Sequence, residues 1–233
     1  MARRQLDEQI ERIKEDIKEM TDFVSDQLKD SLKALSHLDK KLSDNIMTKD
    51  KIANEFYTDI KERCIQTIAL QQPVAKDLRF ISISMDVASN LERVGDYAVD
   101  IAKTVGYILK EPPRVSSRFT KEFLTLLEPI NDEKAIILEM SKIAVDMVEK
   151  SGYSFINADE KYIRNILDRE DKIDEMFGEV FRKLEDMSRR DQQKVHFAMN
   201  LILIARHLER VADHAVNITN RTIYAIKGRE EYI

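Results

Sequence analysis

Cysteine is nearly absent from this chain: Cys64 is the only one among 233 residues, which excludes an intramolecular disulfide and any zinc site built from several cysteines. Cys64 shares a helical face with Phe56, Ile60 and Ile68 and reads as a small core residue. Glycine and proline are scarce, at five and four residues, and tryptophan is missing. So little turn chemistry disfavours strands joined by tight turns and favours long helices. No segment approaches the roughly 18 consecutive apolar residues of a membrane-spanning helix, so direct membrane insertion is not expected. The N-terminus, Met1-Ala2-Arg3-Arg4-Gln5-Leu6-Asp7-Glu8, is charged almost at once and lacks the apolar core of a secretory signal. Export is therefore not expected, and a cytoplasmic setting is. The net charge of −5, with cations interleaved among acids and few aromatics, leaves no basic stripe with stacking residues for nucleic acid.

What is abundant is the material of amphipathic helices: Leu, Ile, Met and Ala set among 35% charged residues. Leu6, Ile10, Ile13, Ile17, Met20, Val24, Leu28, Leu32, Leu35 and Leu38 step by three or four and predict a first helix over about 3–39. Ser43-Asp44-Asn45 reads as a break. Ile52, Phe56, Ile60, Cys64 and Ile68 mark a second helix ending before Gln71-Gln72-Pro73, and a third starts near Pro73 and runs to about 110. The stretch Glu111-Pro112-Pro113-Arg114-Val115-Ser116-Ser117-Arg118 is the best linker. Beyond it three helices return, from Phe123 to about Lys150 with Pro129 perturbing its early turns, from about Asn157 to Met187, and from about Asp191 to Ile226. The expected fold is all-α: two tandem three-helix bundles, six long helices in all, over 1–110 and 121–233 with a linker at 111–120. Whether the halves pack together is not legible from the pattern.

An internal repeat supports that division. Leu91-Glu92-Arg93-Val94-Gly95-Asp96-Tyr97-Ala98-Val99-Asp100-Ile101 recurs 117 positions later as Leu208-Glu209-Arg210-Val211-Ala212-Asp213-His214-Ala215-Val216-Asn217-Ile218, with eight of eleven positions identical. At 100° per residue, Leu91, Val94, Ala98 and Ile101 form an apolar seam, and Glu92, Asp96 and Asp100 form a stripe opposite it. Like charges one turn apart repel, so the stripe needs water, a basic partner or a cation. Local salt bridges on a solvated face are the plain reading; the recurrence at Glu209 and Asp213 favours a metal site or a docking surface.

Carboxylates one turn apart can hold a cation with help from a neighbouring helix. The second-helix candidates are Glu55 and Asp59 in the first half and Asp174, Glu175 and Glu179 in the second; an offset of 120 aligns Glu55 with Glu175 and Asp59 with Glu179. Oxygen donors suit Mg, Mn, Ca or iron better than copper. His207 and His214 flank the second motif on nearly one face, but a histidine so placed is more often packed than ligating. His37 and His196 have no comparable setting. No histidine has Glu three residues before it, which argues against a ferritin-like di-iron oxidase. A Gly-rich phosphate loop, a Cys/His dyad and a serine elbow are also missing. A metal-dependent helical enzyme and a helical scaffold without a metal role remain as alternatives.

Ala69-Leu70-Gln71-Gln72-Pro73-Val74-Ala75-Lys76-Asp77-Leu78-Arg79, the motif from Asn90 to Ala102 and its second copy resemble the PhoU family of phosphate-uptake regulators, over essentially the whole chain. The resemblance implies a non-enzymatic negative regulator of phosphate uptake and starvation signalling. Such a protein couples the phosphate transporter, through its cytoplasmic ATPase, to a membrane sensor histidine kinase, and a homo-oligomer, a dimer, is expected. It further implies metal ions or iron clusters (Fe, Mn, Mg, Zn or Ca) on Glu92 and Asp96 and on Glu209 and Asp213, with Asp100 one turn further. Asn217 stands where the first copy has Asp100, and the family's second-helix acid is Asp174 in one half but Asn54 in the other. Two sites of unequal strength are expected, the first drawing on Glu55.

Overall fold

The computed structural model describes residues 2–110 and 136–228. The predicted linker, the start of the fourth helix and Pro129 lie outside the described residues. Every long apolar seam becomes a helix: α1 (Ala2–His37), α3 (Asp50–Gln71), α4 (Ala75–Lys110), α5 (Ile136–Asn157), α6 (Ile163–Arg190) and α7 (Val195–Lys227), with a short α2 (Lys40–Thr48) between the first two. Among the described residues there is no strand. At 36 residues each, α1 and α4 are about 54 Å long.

The boundaries come from local chemistry that differs in two places from the sequence pattern. The expected break at Ser43-Asp44-Asn45 lies inside α2. Leu38, with φ 51°, ends α1 in the left-handed region, and the Asp39 carboxylate caps α2 by accepting from the Leu42 amide. Ser43 is then buried, and its hydroxyl donates to the Ala102 carbonyl at 2.5 Å. The second difference is at the end of α5, which continues past Lys150 to Asn157, so Asn157 closes this helix instead of opening the next. Ala158, at φ 49°, makes the turn, and a 3₁₀ turn over Glu160–Tyr162 leads into α6. Gln72, at φ 46°, ends α3 in the same way. Three helices thus stop on left-handed residues that are not glycine, each held there at a cost of about 1–2 kcal/mol.

Neighbouring helices within each half alternate in direction. Phe23–Phe56 and Asp16–Arg63 contacts run α1 against α3, and Asp146–Arg169 runs α5 against α6. The two halves do not stand apart. Helices α1 and α4 pack on α5 and α7, and α4 against α7 is the most extensive of all helix pairings. One apolar core runs through both halves, from Leu6, Ile17 and Leu28 through Leu91 and Ile101 to Met140, Leu208 and Ile218. Helices α3 and α6 lie outside this central layer, each against the third helix of its own half.

Gly152 lies within the added turns of α5. It is a contact glycine in mid-helix: a Cβ there would stand 2.6 Å from Thr21 Cγ2 of α1. Gly106, by contrast, faces open space. Gly152→Ala is expected to destabilise the fold by about 1–3 kcal/mol through overpacking, whereas Gly106→Ala should stabilise it by about 0.5–1 kcal/mol. Urea unfolding midpoints check both, and recovery of Gly152→Ala by Thr21→Ala would show that the contact is the cause.

Candidate functional site

The third helices bury side chains on more than one face. Alongside the seam of Leu91, Val94, Ala98 and Ile101, α4 also buries Gly95, Val99 and Ala102. The carboxylate stripe is therefore not on an open face. The side chains of Glu92, Asp96 and Asp100 are 17%, 32% and 41% exposed, the most sheltered at the Glu92 end. Arg93 reaches Asp96 at 3.2 Å and Glu92 at 3.6 Å, and Lys103 pairs with Asp100 at 3.0 Å.

The acid that α3 contributes is Asp50, whose charge, together with those of Asp96 and Asp100, helps hold the Lys103 ammonium up in pKa and also acts on Asp96. Glu55 and Asp59 are exposed on α3, and neither acts on the raised carboxyls of Glu92 and Asp96. In the second half α6 contributes Glu170 and Asp174, which face Glu209 and Asp213 of α7. Asp174 and Glu175 are both exposed, but only Asp174 acts on Glu170, Glu209 and Asp213, and Glu179 is ion-paired with Lys183 one turn on. Asp50 and Glu170 are the residues that sequence reasoning missed. Both lie three residues before a buried core position, Ala53 and Ile173, and are related by the same offset of 120 that was applied to Glu55 and Glu175. The signal was present, but it had to be phased on the buried seam.

Burial dominates the electrostatics. It pushes the carboxyls of Glu92, Asp96, Glu170, Glu209 and Asp213 above their ordinary range, and neighbouring carboxylates push Glu92 and Glu170 further the same way. Nearby arginines oppose this: Arg93 in the first cluster, Arg206 and Arg210 in the second. Glu209 is the extreme case. Its side chain is only 12% exposed, Arg206 is ion-paired to Oε1, and Oε2 is buried with no hydrogen-bond partner. Among the described residues, no three of His, Cys, Asp and Glu already stand as a metal-ligating group. The donors present are oxygens of the kind hard cations prefer, and the bare Oε2 of Glu209 is the atom such a cation would satisfy.

His207 and His214 lie elsewhere, at the junction of α4 and α7. The Tyr97 ring sits between them, 5.6 Å from the His207 ring and 5.7 Å from that of His214. His214 Nδ1 is 2.9 Å from Asn90 Oδ1, and the Tyr97 hydroxyl accepts from Arg210 at 3.4 Å. Burial is the largest cause of the lowered pKa of both histidines.

Comparison with known proteins agrees with the doubled architecture. The PhoU domain family matches residues 17–105 and again 137–222. A protein of Clostridium acetobutylicum named phosphate-specific transport system accessory protein PhoU homolog is 28% identical over 99% of this chain and 98% of its own length. A protein of the same name from Aquifex aeolicus is 32% identical, covering 94% of this chain and 92% of its own. The crystal structure of PhoU from Pseudomonas aeruginosa superposes with a TM-score of 0.82 at 25% identity, covering 96% of this chain and 99% of that one.

Raised carboxyl pKa values set a sign for pH dependence. Their favourable contribution is fully present below the unfolded-chain values near about 4 and is lost as pH rises through the raised values. The variant Glu92→Gln/Asp96→Asn/Glu209→Gln/Asp213→Asn is therefore expected to gain stability relative to the unmodified chain as pH rises from about 3 to about 7. Urea unfolding of both proteins across that range measures the difference. A difference that shrinks with rising pH would contradict it.

Proposed function

The chain belongs to the PhoU family, and we propose that it is a non-enzymatic accessory regulator of a phosphate transport system that restrains phosphate uptake and the starvation response. In this reading it works in the cytoplasm as a homo-oligomer, a dimer, and bridges the transporter's ATPase and a membrane sensor histidine kinase. The observation that carries the reading is the near full-length match to relatives named as phosphate-specific transport accessory proteins. The shape suits an adaptor: long helices offer broad lateral faces, and no helix among the described residues is long and apolar enough to cross a membrane. The α3–α4 turn adds an apolar projection, with Leu70 and Val74 77% and 74% exposed and Gln72 and Ala75 at positive φ. Backbone held in this way at an exposed apolar turn is typical of contact sites.

Metal binding is the second part of the proposal. Glu92, Asp96, Asp100 and Asp50 would hold one cation, and Glu209, Asp213, Asp174 and Glu170 another. All-oxygen ligation suits Mg, Mn, Ca or iron, whereas zinc more often takes nitrogen and sulfur. A bound ion would relieve the mutual repulsion of each cluster and tie α3 to α4 and α6 to α7. It shifts the protein toward a partner-binding arrangement only through a difference in affinity between two arrangements. Asn54, standing where the second half has Asp174, makes the first cluster the poorer in acids from its outer helix.

The rival reading is a helical scaffold in which metal has no role, favoured by the lack of a preformed ligating group among the described residues. Elemental analysis of protein purified without chelator, from phosphate-replete and phosphate-starved cells, separates the two readings. With Glu92→Gln/Asp96→Asn/Glu209→Gln/Asp213→Asn, bound metal and co-purification of the ATPase and kinase are both expected to fall. Normal partner binding by metal-free protein would leave the scaffold, and unchanged metal and partners together would remove the metal proposal.

A further inference from the structure

Arg206 stands three residues before Glu209 on α7. It is anchored at two points, on Glu209 Oε1 and over the Phe177 ring of α6, whose centre lies 5.7 Å from its guanidinium carbon. The Phe177–Arg206 contact has the same antiparallel register as the Glu170–Asp213 approach, so the guanidinium lies just beyond the carboxylates in one groove between α6 and α7. Glu209 is thereby half-satisfied: one oxygen holds an arginine and the other is buried and bare. A desolvated carboxylate in that state is costly unless a second positive group completes it.

The first repeat has no such residue. Ser89 occupies the position of Arg206, and Tyr57 that of Phe177. Arg210 does not take the place of Arg206, since its guanidinium turns to the Tyr97 hydroxyl at the junction of the halves. The first cluster is paired with Arg93 and Lys103 of its own helix, whereas the cation of the second is held by an aromatic face of the neighbouring helix as well as by charge.

We propose that Arg206 is a built-in counter-cation of the α6–α7 carboxylate cluster, and that it opposes a metal ion binding there by holding Glu209 Oε1 and by its charge. This rests on the metal-binding reading above. The ion takes up the open Oε2 of Glu209 beside Asp213, Asp174 and Glu170, while the guanidinium keeps its share of the carboxylate through Oε1. Arg206 therefore lowers the metal affinity of the second cluster in two ways, by competing for Glu209 and by repelling the incoming cation. It also offsets the surplus of acids in that cluster, so that the cluster richer in acids is not simply the tighter one.

The test uses Mn²⁺ as probe, with the electron paramagnetic resonance signal of the free ion as readout, in a Glu92→Gln/Asp96→Asn background that leaves only the second cluster. Arg206→Ser and Arg206→Gln are expected to tighten Mn²⁺ binding about three- to tenfold, the size expected from removing one partly exposed ion pair and one repelling charge. Arg206→Lys keeps the charge and should stay near the background protein. Adding Asp213→Asn to Arg206→Ser should abolish the gain. Equal Mn²⁺ affinity in the background protein and both neutral variants would overturn the proposal while leaving the metal reading standing. Tightening by Arg206→Lys as large as that by Arg206→Ser would also overturn it, because packing would then be the cause. An absence of Mn²⁺ binding in every variant, with helical circular dichroism intact, would remove the metal reading and this inference together.

Discussion

Everything in this structure hangs on the antiparallel contact of α4 with α7. Each helix is the third of its half, and each is buried on several faces at once: α4 touches α1, α2, α3 and α7. Helices packed from several sides need small side chains, and Gly95, Ala98, Ala102, Ala205, Ala212 and Ala215 are all buried along these two. Gly95 serves another face of α4, where a Cβ would lie 2.9 Å from that of Ala53 on α3. A single apolar core spans both halves because of the α4–α7 contact, and the outer helices α3 and α6 acquire the surfaces against which they pack.

The same crowding produces the electrostatics. A carboxylate stripe on a helix packed from so many directions cannot stay fully in water, so Glu92, Asp96, Glu209 and Asp213 lose solvent and their carboxyls become harder to ionise. Two kinds of compensation are visible. Arg93 and Lys103 shield the first cluster, and Arg206 shields the second. Neither is complete, as the bare oxygen of Glu209 shows. Partial compensation keeps a site open to a further positive group, whereas a fully paired network would close it.

The helices were legible because their seams keep a three- and four-residue spacing over many turns, and helix type follows from that spacing. Their ends were less so. Pro73 marked the stop at Gln72, but the chain also stops helices on Leu38 and Ala158, neither of which carries a helix-stop signal, and spends a glycine at 152 on a helix contact instead. The repeated motif placed Glu92 with Asp96 and Glu209 with Asp213 on shared faces, and the structure brings the two members of each pair within reach of each other's charge. On the outer helices acids abound, and the pattern alone, which pointed to Glu55 and Glu175, does not show that Asp50 and Glu170 are the ones whose charge reaches the third helices. The packing of the two halves was not legible, since their seams look alike whether each is covered from within its own half or from the other.

The contacts between α4 and α7 follow a reciprocal rule. Asn90 meets His214 and Tyr97 meets His207, and with an offset of 117 each of these pairs is the other with its partners exchanged. Arg210 on Tyr97 and the charge of Arg93 on His214 repeat the rule. This is the pattern of a self-complementary two-fold interface between identical subunits, here enclosed in one chain. In a dimer of identical halves every substitution is made twice, so an arginine or asparagine that suits one cluster is imposed on the other. Within one polypeptide that obligation disappears, and each copy is free to accept changes alone. Ser89 opposite Arg206, Asn54 opposite Asp174 and Tyr97 opposite His214 are what that freedom has allowed: a nearly symmetric frame carrying two clusters that need not respond to the same signal.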